Sequence, residues 1–169
     1  MMAYKDPENT IVMETTAGTV AIQLRPDLAP GHVARIKELA RAGEYDGVVF
    51  HRVIDGFMAQ TGDVRFGNKN SDSYEPARAG MGGSSKPDLK AEFNDATHAR
   101  GVCSMARSQN PNSANSQFFI CFEDASFLDR QYTVWGEVIE GMENVDKIKR
   151  GEPVRDPDSI VSMKVAADL

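Results

Sequence analysis

The chain has 169 residues, a formal net charge of −6, 41% hydrophobic residues and 26% charged residues. This length and composition are typical of a soluble globular protein with one sizeable core, and they exclude a disordered or membrane-embedded chain. No basic run interrupts the acidic sequence, which argues against a protein surface that binds nucleic acid or an anionic membrane. We therefore expect a single domain over residues 1–169.

Two further features bear on the compartment. Residues 1–9 contain no apolar core of the kind that a signal peptide needs, and no stretch approaches the length of a membrane span. The two cysteines, Cys103 and Cys121, lie inside apolar runs, where a free cysteine behaves as a small buried hydrophobic residue. These features favour a cytoplasmic location.

The chain begins with a predicted hairpin and a predicted helix. Apolar and polar residues alternate toward Leu24, which predicts two antiparallel strands over residues 10–24. Apolar residues then recur at helical spacing from Pro30 to Ala42. Pro30 suits the first turn of a helix and Gly43 suits its end.

Short strand-like runs follow, with a second helix before the last strand. That helix, Met142–Arg150, carries acidic residues before basic ones, which matches the helix dipole, and Gly151 ends it. Many short strands with only two helices predict a mainly β fold with a closed or sandwich-like core. The predicted strands are Val48–Ile54, Phe57–Thr61, Gly101–Ala106, Ser116–Phe122, Tyr132–Ile139 and Ile160–Ala166.

Three blocks of sequence concentrate polar groups among aromatic and methionine residues. They are residues 50–63, residues 104–120 and residues 127–136, and they bring arginines and glutamines, among them Arg52, Gln60 and Gln117, together with many phenylalanines. Strand alternation places Gln117 and Phe119 on one face. Phe118, Ile120 and Phe122 then lie on the opposite face.

Other sites are not favoured by these residues. The histidines His32, His51 and His98 show no metal-ligand spacing, so we expect no metal. Ser104 or Ser116 with His51 and Asp63 supply the residue types of a hydrolase triad, but the Gly-x-Ser-x-Gly motif of a nucleophile elbow is absent from the sequence. The Gly-Met-Gly-Gly run at residues 80–83 lacks the lysine and the strand–helix frame of a phosphate-binding loop.

The chain resembles the cyclophilin family. Residues 50–63 read Phe-His-Arg-Val-Ile-Asp-Gly-Phe-Met-Ala-Gln-Thr-Gly-Asp, which is similar to that family's signature with its spacing intact. The Ser-Gln-Phe-Phe-Ile, Phe-Leu-Asp and Gly-Glu-Val-Ile-Glu-Gly-Met segments follow in the family's order, and the likeness covers residues 10–167. The resemblance implies a closed eight-stranded antiparallel β-barrel capped by two α-helices.

The resemblance also implies a set of site residues. Arg52 would be the principal catalytic residue and Gln60 its orienting neighbour. Phe127 and Tyr132 stand where many members carry Trp and His, so cyclosporin would bind more weakly than to the members with Trp. The proline pocket would be formed by Phe57, Met58, Phe119 and Leu128, and the peptide main chain would be held by Ala106, Arg107 and Gln117.

The implied activity is peptidyl-prolyl cis-trans isomerisation of unfolded or loop-borne X–Pro segments, assisting protein folding. It requires no cofactor, and a monomer is expected. One alternative is a proline-peptide-binding or holdase module with little turnover. A small-ligand barrel similar to a lipocalin is a weaker alternative, which the polar groove and the two capping helices disfavour.

The segment 64–79 is longer than in common bacterial members of the family. It is rich in Gly, Ser, Asn and Asp, which is typical of a surface loop. Two interpretations remain open for it. It is either a solvated insertion or a modified subsite beside Arg52.

Overall fold

Eight β-strands and two α-helices make up the regular structure of residues 4–169, the part of the chain that the computed structural model describes. Residues 1–3 lie outside the described residues. The expectations for residues 1–9 and for a single domain over residues 1–169 therefore fall partly outside them. Neither helix is long and apolar enough to cross a bilayer. The elements are β1 (Thr10–Thr15), β2 (Gly18–Leu24), α1 (Pro30–Arg41), β3 (Arg52–Ile54), β4 (Met58–Thr61), β5 (Val102–Met105), β6 (Phe118–Cys121), β7 (Val134–Glu140), α2 (Met142–Val145) and β8 (Ile160–Val165).

The strands form one antiparallel sheet in the order β3-β4-β6-β5-β7-β2-β1-β8. The prediction of eight antiparallel strands and two helices is confirmed. The prediction of a closed barrel is wrong, because the edge strands β3 and β8 do not pair with each other and the sheet is an open, curled half-barrel. Isolated bridges join Val49 to Ser159 and Val53 to Gly151 near these edges. Pro153 and Pro157 lie in the intervening segment, where their missing N–H groups prevent a continuous ladder.

The main core lies inside the curled sheet, where α1 packs across it. Trp135 meets Phe118 edge-to-face at 5.3 Å, and Phe118 meets Tyr45 in the same way at 5.7 Å. Each of these rings is fully buried, and burying one side chain of this size contributes about 1.5–3 kcal/mol. The alternation predicted for β6 is confirmed: Phe118 and Ile120 belong to the main core, whereas Phe119 belongs to a second cluster on the opposite face.

Several predicted elements are shorter in the structure, two of them by most of their length. The strand predicted over Val48–Ile54 is regular only from Arg52 onward, because Val48 and Val49 make isolated bridges to different segments. The helix predicted over Met142–Arg150 ends at Val145. Beyond Val145 the hydrogen bonds span three residues instead of four, since the Ile148 N–H donates to the Val145 carbonyl at 3.1 Å. The Ile148 side chain is part of the main core.

The 64–79 segment lies at the surface, but it is anchored. Its Gly67 carbonyl accepts a hydrogen bond from the Val49 N–H at 2.9 Å. Phe66 is buried, and the guanidinium groups of Arg65 and Arg78 lie over its ring at 4.8 and 4.5 Å from the centroid. Cation–π contacts and backbone pairing therefore hold a segment whose composition alone predicts a loop.

The two cysteines are free and buried, as predicted. Burial raises the pKa of the Cys121 thiol to about 12 and also raises the pKa of Cys103 well above its usual value. Both therefore stay protonated near neutral pH, and they act as packing residues of the sheet.

Candidate active site

The β3–β4 hairpin places Arg52 directly opposite Gln60. The chain reverses at Gly56, whose positive φ of 73° is a backbone conformation that glycine adopts without strain. Directly opposed residues of an antiparallel pair share a face of the sheet. The two side chains meet there, and Arg52 Nη1 donates to Gln60 Oε1 at 3.4 Å.

A series of side-chain hydrogen bonds continues from Gln60 across the site. Gln60 Nε2 donates to Gln117 Oε1 at 3.1 Å. Gln117 Nε2 donates in turn to the carbonyl oxygens of Gly80 and Gly82, at 2.9 and 2.8 Å. Both amide groups thus have a defined orientation, and they connect Arg52 to the glycine-rich loop 80–83.

A small cavity opens beside Arg52, and we call it the inner pocket. Its volume is about 130 Å³, and its wall combines apolar and aromatic side chains with those of two arginines and one glutamine. It contains all the residues that the sequence singled out except Gln117 and Phe127. The lining residues are Arg52, Phe57, Met58, Gln60, Ala106, Arg107, Phe119, Leu128 and Tyr132.

Aromatic contacts shape the wall and rim of the inner pocket. Phe119 is only 5% exposed and meets the Tyr132 ring edge-to-face at 5.8 Å. Phe57 lies 5.6 Å from Phe127, which is 66% exposed. Phe119 therefore belongs to the interior of the pocket, whereas Phe127 extends from its outer rim.

A second cavity, the outer pocket, adjoins the first. Its volume is about 400 Å³, and it shares Gln60, Ala106 and Arg107 with the inner pocket. The loop 80–83 and Gln117 complete one side of it. The two pockets form one continuous groove, and Gln60, Ala106 and Arg107 line it where the pockets meet.

Residues 10–165 match the family described as cyclophilin type peptidyl-prolyl cis-trans isomerase/CLD. The chain belongs to this family. A Brucella suis protein named probable peptidyl-prolyl cis-trans isomerase is 58% identical over 168 residues, covering 96% of this chain and 85% of the relative. A peptidyl-prolyl cis-trans isomerase of Synechococcus elongatus is 36% identical, covering 93% of this chain and 96% of the relative.

Solved cyclophilin structures share the fold. Cyclophilin AquaCyp293 from Hirschia baltica superposes with a TM-score of 0.83 at 32% identity, covering 97% of this chain and 76% of that one. A Cryptosporidium parvum cyclophilin type isomerase, crystallised in the presence of the dipeptide Ala-Pro, gives 0.78 at 25% identity, covering 92% and 98%. The resemblance inferred from the sequence is confirmed, and the family's activity is the isomerisation of peptidyl-prolyl bonds.

His98 supports the inner pocket of this cyclophilin from behind. Its ring stacks on Phe119 at 6.2 Å, and its two nitrogens lie 3.0 Å from Asp129 Oδ1 and 2.9 Å from Ser104 Oγ. Ser, His and Asp are thus linked as in a hydrolase, but Ser104 and His98 are fully buried and reach no substrate. Sequence reasoning missed this support, because only the fold brings residues 98 and 119 together.

The other two histidines, His32 and His51, are also buried. His32 lies in the first turn of α1, and its Nδ1 atom is 2.5 Å from Glu92 Oε1. Burial lowers the pKa of His51 to about 4, so its ring is neutral near pH 7. Within residues 4–169, no group of three or more His, Cys, Asp or Glu residues is arranged to hold a metal.

Two arginines of the groove have internal partners. Arg107 donates from Nε and Nη2 to the Gln131 carbonyl, at 3.1 and 2.6 Å, and its guanidinium lies 4.5 Å from the centroid of the Tyr132 ring. Arg52 Nε donates to the carboxylate of Glu152. Glu152 was not singled out from the sequence, where nothing links it to Arg52.

Proposed function

We propose that the inner pocket binds the prolyl ring of an X–Pro segment and that Arg52 catalyses rotation about the bond preceding it. The observation that carries this proposal is the position of the Arg52 guanidinium beside the apolar side chains that line the same cavity, which are Phe57, Met58, Phe119 and Leu128. Its side chain is 42% exposed, and its Nη2 group makes no hydrogen bond within residues 4–169. That group is available to a substrate.

The chemistry of amide rotation suits such a pocket. The barrier is roughly 18–20 kcal/mol because resonance must be broken. At the twisted transition state the prolyl nitrogen recovers its lone pair and the amide loses part of its dipole, so apolar walls disfavour the planar ground state. An arginine N–H that donates to this nitrogen stabilises the twisted state.

A hydrogen bond from Arg52 accounts for only part of the reduction of the rotational barrier. One hydrogen bond from a charged group contributes about 1.5–3 kcal/mol. A rate gain on the order of 10⁵ needs roughly 7 kcal/mol. Desolvation in the pocket and orientation of the peptide supply the remainder, and the reaction needs neither a nucleophile nor a cofactor.

We assign the binding of the peptide main chain to Ala106, Arg107 and Gln117. The Ala106 N–H already donates to the Gln117 carbonyl at 3.0 Å, so Ala106 offers its own carbonyl group. The Arg107 guanidinium is held by Gln131 and Tyr132. Arg107 therefore acts through its backbone and as a wall of the groove rather than as a free cation.

The proposed substrates are unfolded or loop-borne proline-containing polypeptides. The open groove, with its two adjoining pockets, suits an extended chain. The Cryptosporidium parvum cyclophilin crystallised in the presence of the dipeptide Ala-Pro supports this choice. We further propose that residues 1–169 act as a single domain, which the family match over residues 10–165 supports. A protease-coupled assay on a short Xaa-Pro peptide tests the function, and a rate equal to the uncatalysed one would reject it.

Cyclosporin is expected to bind this chain more weakly than it binds cyclophilins with Trp at position 127. Phe127 is exposed on the rim, where it offers less contact area than an indole and has no N–H donor. Phe127→Trp should therefore tighten binding several-fold in a fluorescence or calorimetric titration. Low-nanomolar affinity of the unmodified chain, or no change on substitution, would contradict the prediction.

Shortening the 64–79 segment is expected to change peptide preference without abolishing turnover. Asp63 Oδ2 accepts the N–H groups of Gly80 and Gly82 at 2.8 and 2.9 Å, and Gln117 holds the carbonyls of the same residues. Because these anchors lie outside the segment, replacing residues 68–78 by a short turn should leave turnover of a minimal Ala-Pro peptide within a few-fold. The outer pocket should change shape, because the N–H of Met81, which lines that pocket, donates to the Arg78 carbonyl at 3.0 Å and this contact would be lost.

The measurement compares the two proteins on a panel of peptides that differ in the residues before proline. We expect the ranking of kcat/KM values to change. An identical ranking would make the segment a solvated insertion only. A loss of activity on every peptide, in a variant that still folds, would mean that the segment supports Arg52 directly.

A further inference from the structure

The ion pair between Glu152 and Arg52 adds a residue to the catalytic apparatus. Arg52 Nε donates to Glu152 Oε2, on the side of the guanidinium nearest its own side chain. We propose that Glu152 is a positioning residue that, by binding Nε, keeps the Nη2 edge of the Arg52 guanidinium turned toward the inner pocket. This inference rests on the proposed role of Arg52.

The backbone places Glu152 beside Arg52. The residues on either side of Arg52 are hydrogen-bonded to Gly151 and Val154, which enclose Glu152 and Pro153, so the Arg52 and Glu152 side chains start from nearby points on paired segments. These bonds run from the Val53 N–H to the Gly151 carbonyl at 2.8 Å, from the Gly151 N–H to the Val53 carbonyl at 2.8 Å, and from the Val154 N–H to the His51 carbonyl at 3.2 Å.

Gly151 is required for this pairing. A Cβ atom at that position would lie 2.8 Å from the Pro153 carbonyl oxygen and 2.9 Å from the Val154 Cα, distances that real Cβ atoms essentially never show. The close fold of residues 151–154 thus depends on a glycine immediately before Glu152. The position of the carboxylate follows from a locally constrained backbone, not only from the rotamer of a long side chain.

Two contacts define the orientation of the guanidinium. Glu152 accepts from Nε, and Gln60 accepts from Nη1 at 3.4 Å. The Gln60 contact is long, so it would leave the planar group free to turn about its side-chain bonds if it acted alone. With both contacts present, the donors of Nη2 remain for a substrate in the inner pocket.

The pair is suited to positioning rather than to stabilising the fold. The side chains of Arg52 and Glu152 are 42% and 57% exposed, and exposed pairs contribute little to the free energy of unfolding. Removing the carboxylate should therefore leave the fold intact and release the guanidinium. A loss of activity without a loss of stability is the expected signature.

The test measures kcat and KM on a short Xaa-Pro peptide for Glu152→Ala and Glu152→Gln. Glu152→Ala should lower kcat about three- to ten-fold with a smaller change in KM, since the pocket walls are unchanged. Glu152→Gln retains an acceptor oxygen at the same reach, so it should recover most of the lost rate. Asp168→Ala, which breaks an exposed pair with Arg41, is the matched control and should have no effect.

A double-mutant cycle separates positioning from any general structural role. In the Arg52→Ala background, Glu152→Ala should change the residual kcat/KM by less than about two-fold, because the group it positions is gone. An equal loss in both backgrounds, or native kcat in a folded Glu152→Ala protein, would overturn the inference. If Arg52→Ala alone retained native activity, the proposed function itself would fail, so the two failures are distinguishable.

Discussion

Arg52→Ala should lower kcat/KM for a short Xaa-Pro peptide by about two orders of magnitude or more, which corresponds to about 3 kcal/mol of transition-state stabilisation. The reason is the loss of the charged donor at the edge of the inner pocket. The fold should survive, because the Arg52 side chain is 42% exposed and belongs to no core cluster. The protease-coupled assay measures the rate, and a thermal melt monitors the fold.

A matched control is available for this substitution. Arg41 is exposed to a similar degree, at 40%, and is also paired with a carboxylate, but it lies on α1 and lines neither pocket of the groove. Arg41→Ala should leave kcat/KM unchanged. Arg52→Lys should restore little activity, because an ammonium lacks the planar fork of donors that meets Glu152 and Gln60 while facing the pocket. Turnover near the native rate in folded Arg52→Ala would reject the mechanism.

Phe119→Ala should impair both turnover and the binding of proline peptides. The ring lines the inner pocket while being 5% exposed, so its removal enlarges the pocket and takes away the apolar surface against which the prolyl ring packs. Removing a largely buried phenylalanine also costs about 3 kcal/mol of stability. Peptide affinity, from a titration at a temperature where the variant is folded, is therefore the decisive quantity.

The neighbouring residue provides the control for Phe119. Phe118 lies on the opposite face of β6, in the main core, and lines neither pocket. The milder substitutions Phe118→Leu and Phe119→Leu should both lower stability, but only Phe119→Leu should weaken peptide binding. Equal peptide affinities for the two variants would show that Phe119 acts through the fold alone.

Much of the site follows from local sequence patterns. A period of two along β6 separates Phe119 from Phe118 and assigns them to different clusters, and the family signature brings Arg52 and Gln60 onto one hairpin. Both features depend on residues close together in the chain. Such relations can be deduced from spacing because strand geometry fixes where successive side chains point.

The features that sequence reasoning missed depend on distant segments. Glu152 meets Arg52 only because residues 151–154 pair with the beginning of β3, and His98 meets Phe119 only through the sheet. The open edge of the sheet arises where prolines precede β8, and the early end of α2 arises where Ile148 enters the core. Composition and periodicity do not encode such long-range contacts.

This groove is expected to catalyse the isomerisation of X–Pro bonds and not merely to bind them. Exchange NMR at equilibrium tests it directly, since the cis and trans signals of a proline peptide interconvert measurably only when a catalyst is present, the uncatalysed exchange taking tens to hundreds of seconds. We predict rapid exchange with a catalytic amount of the native chain, and slow exchange with Arg52→Ala at a concentration that still binds the peptide. Slow exchange with the native chain, despite clear binding, would contradict catalysis by this groove and identify a proline-peptide-binding module.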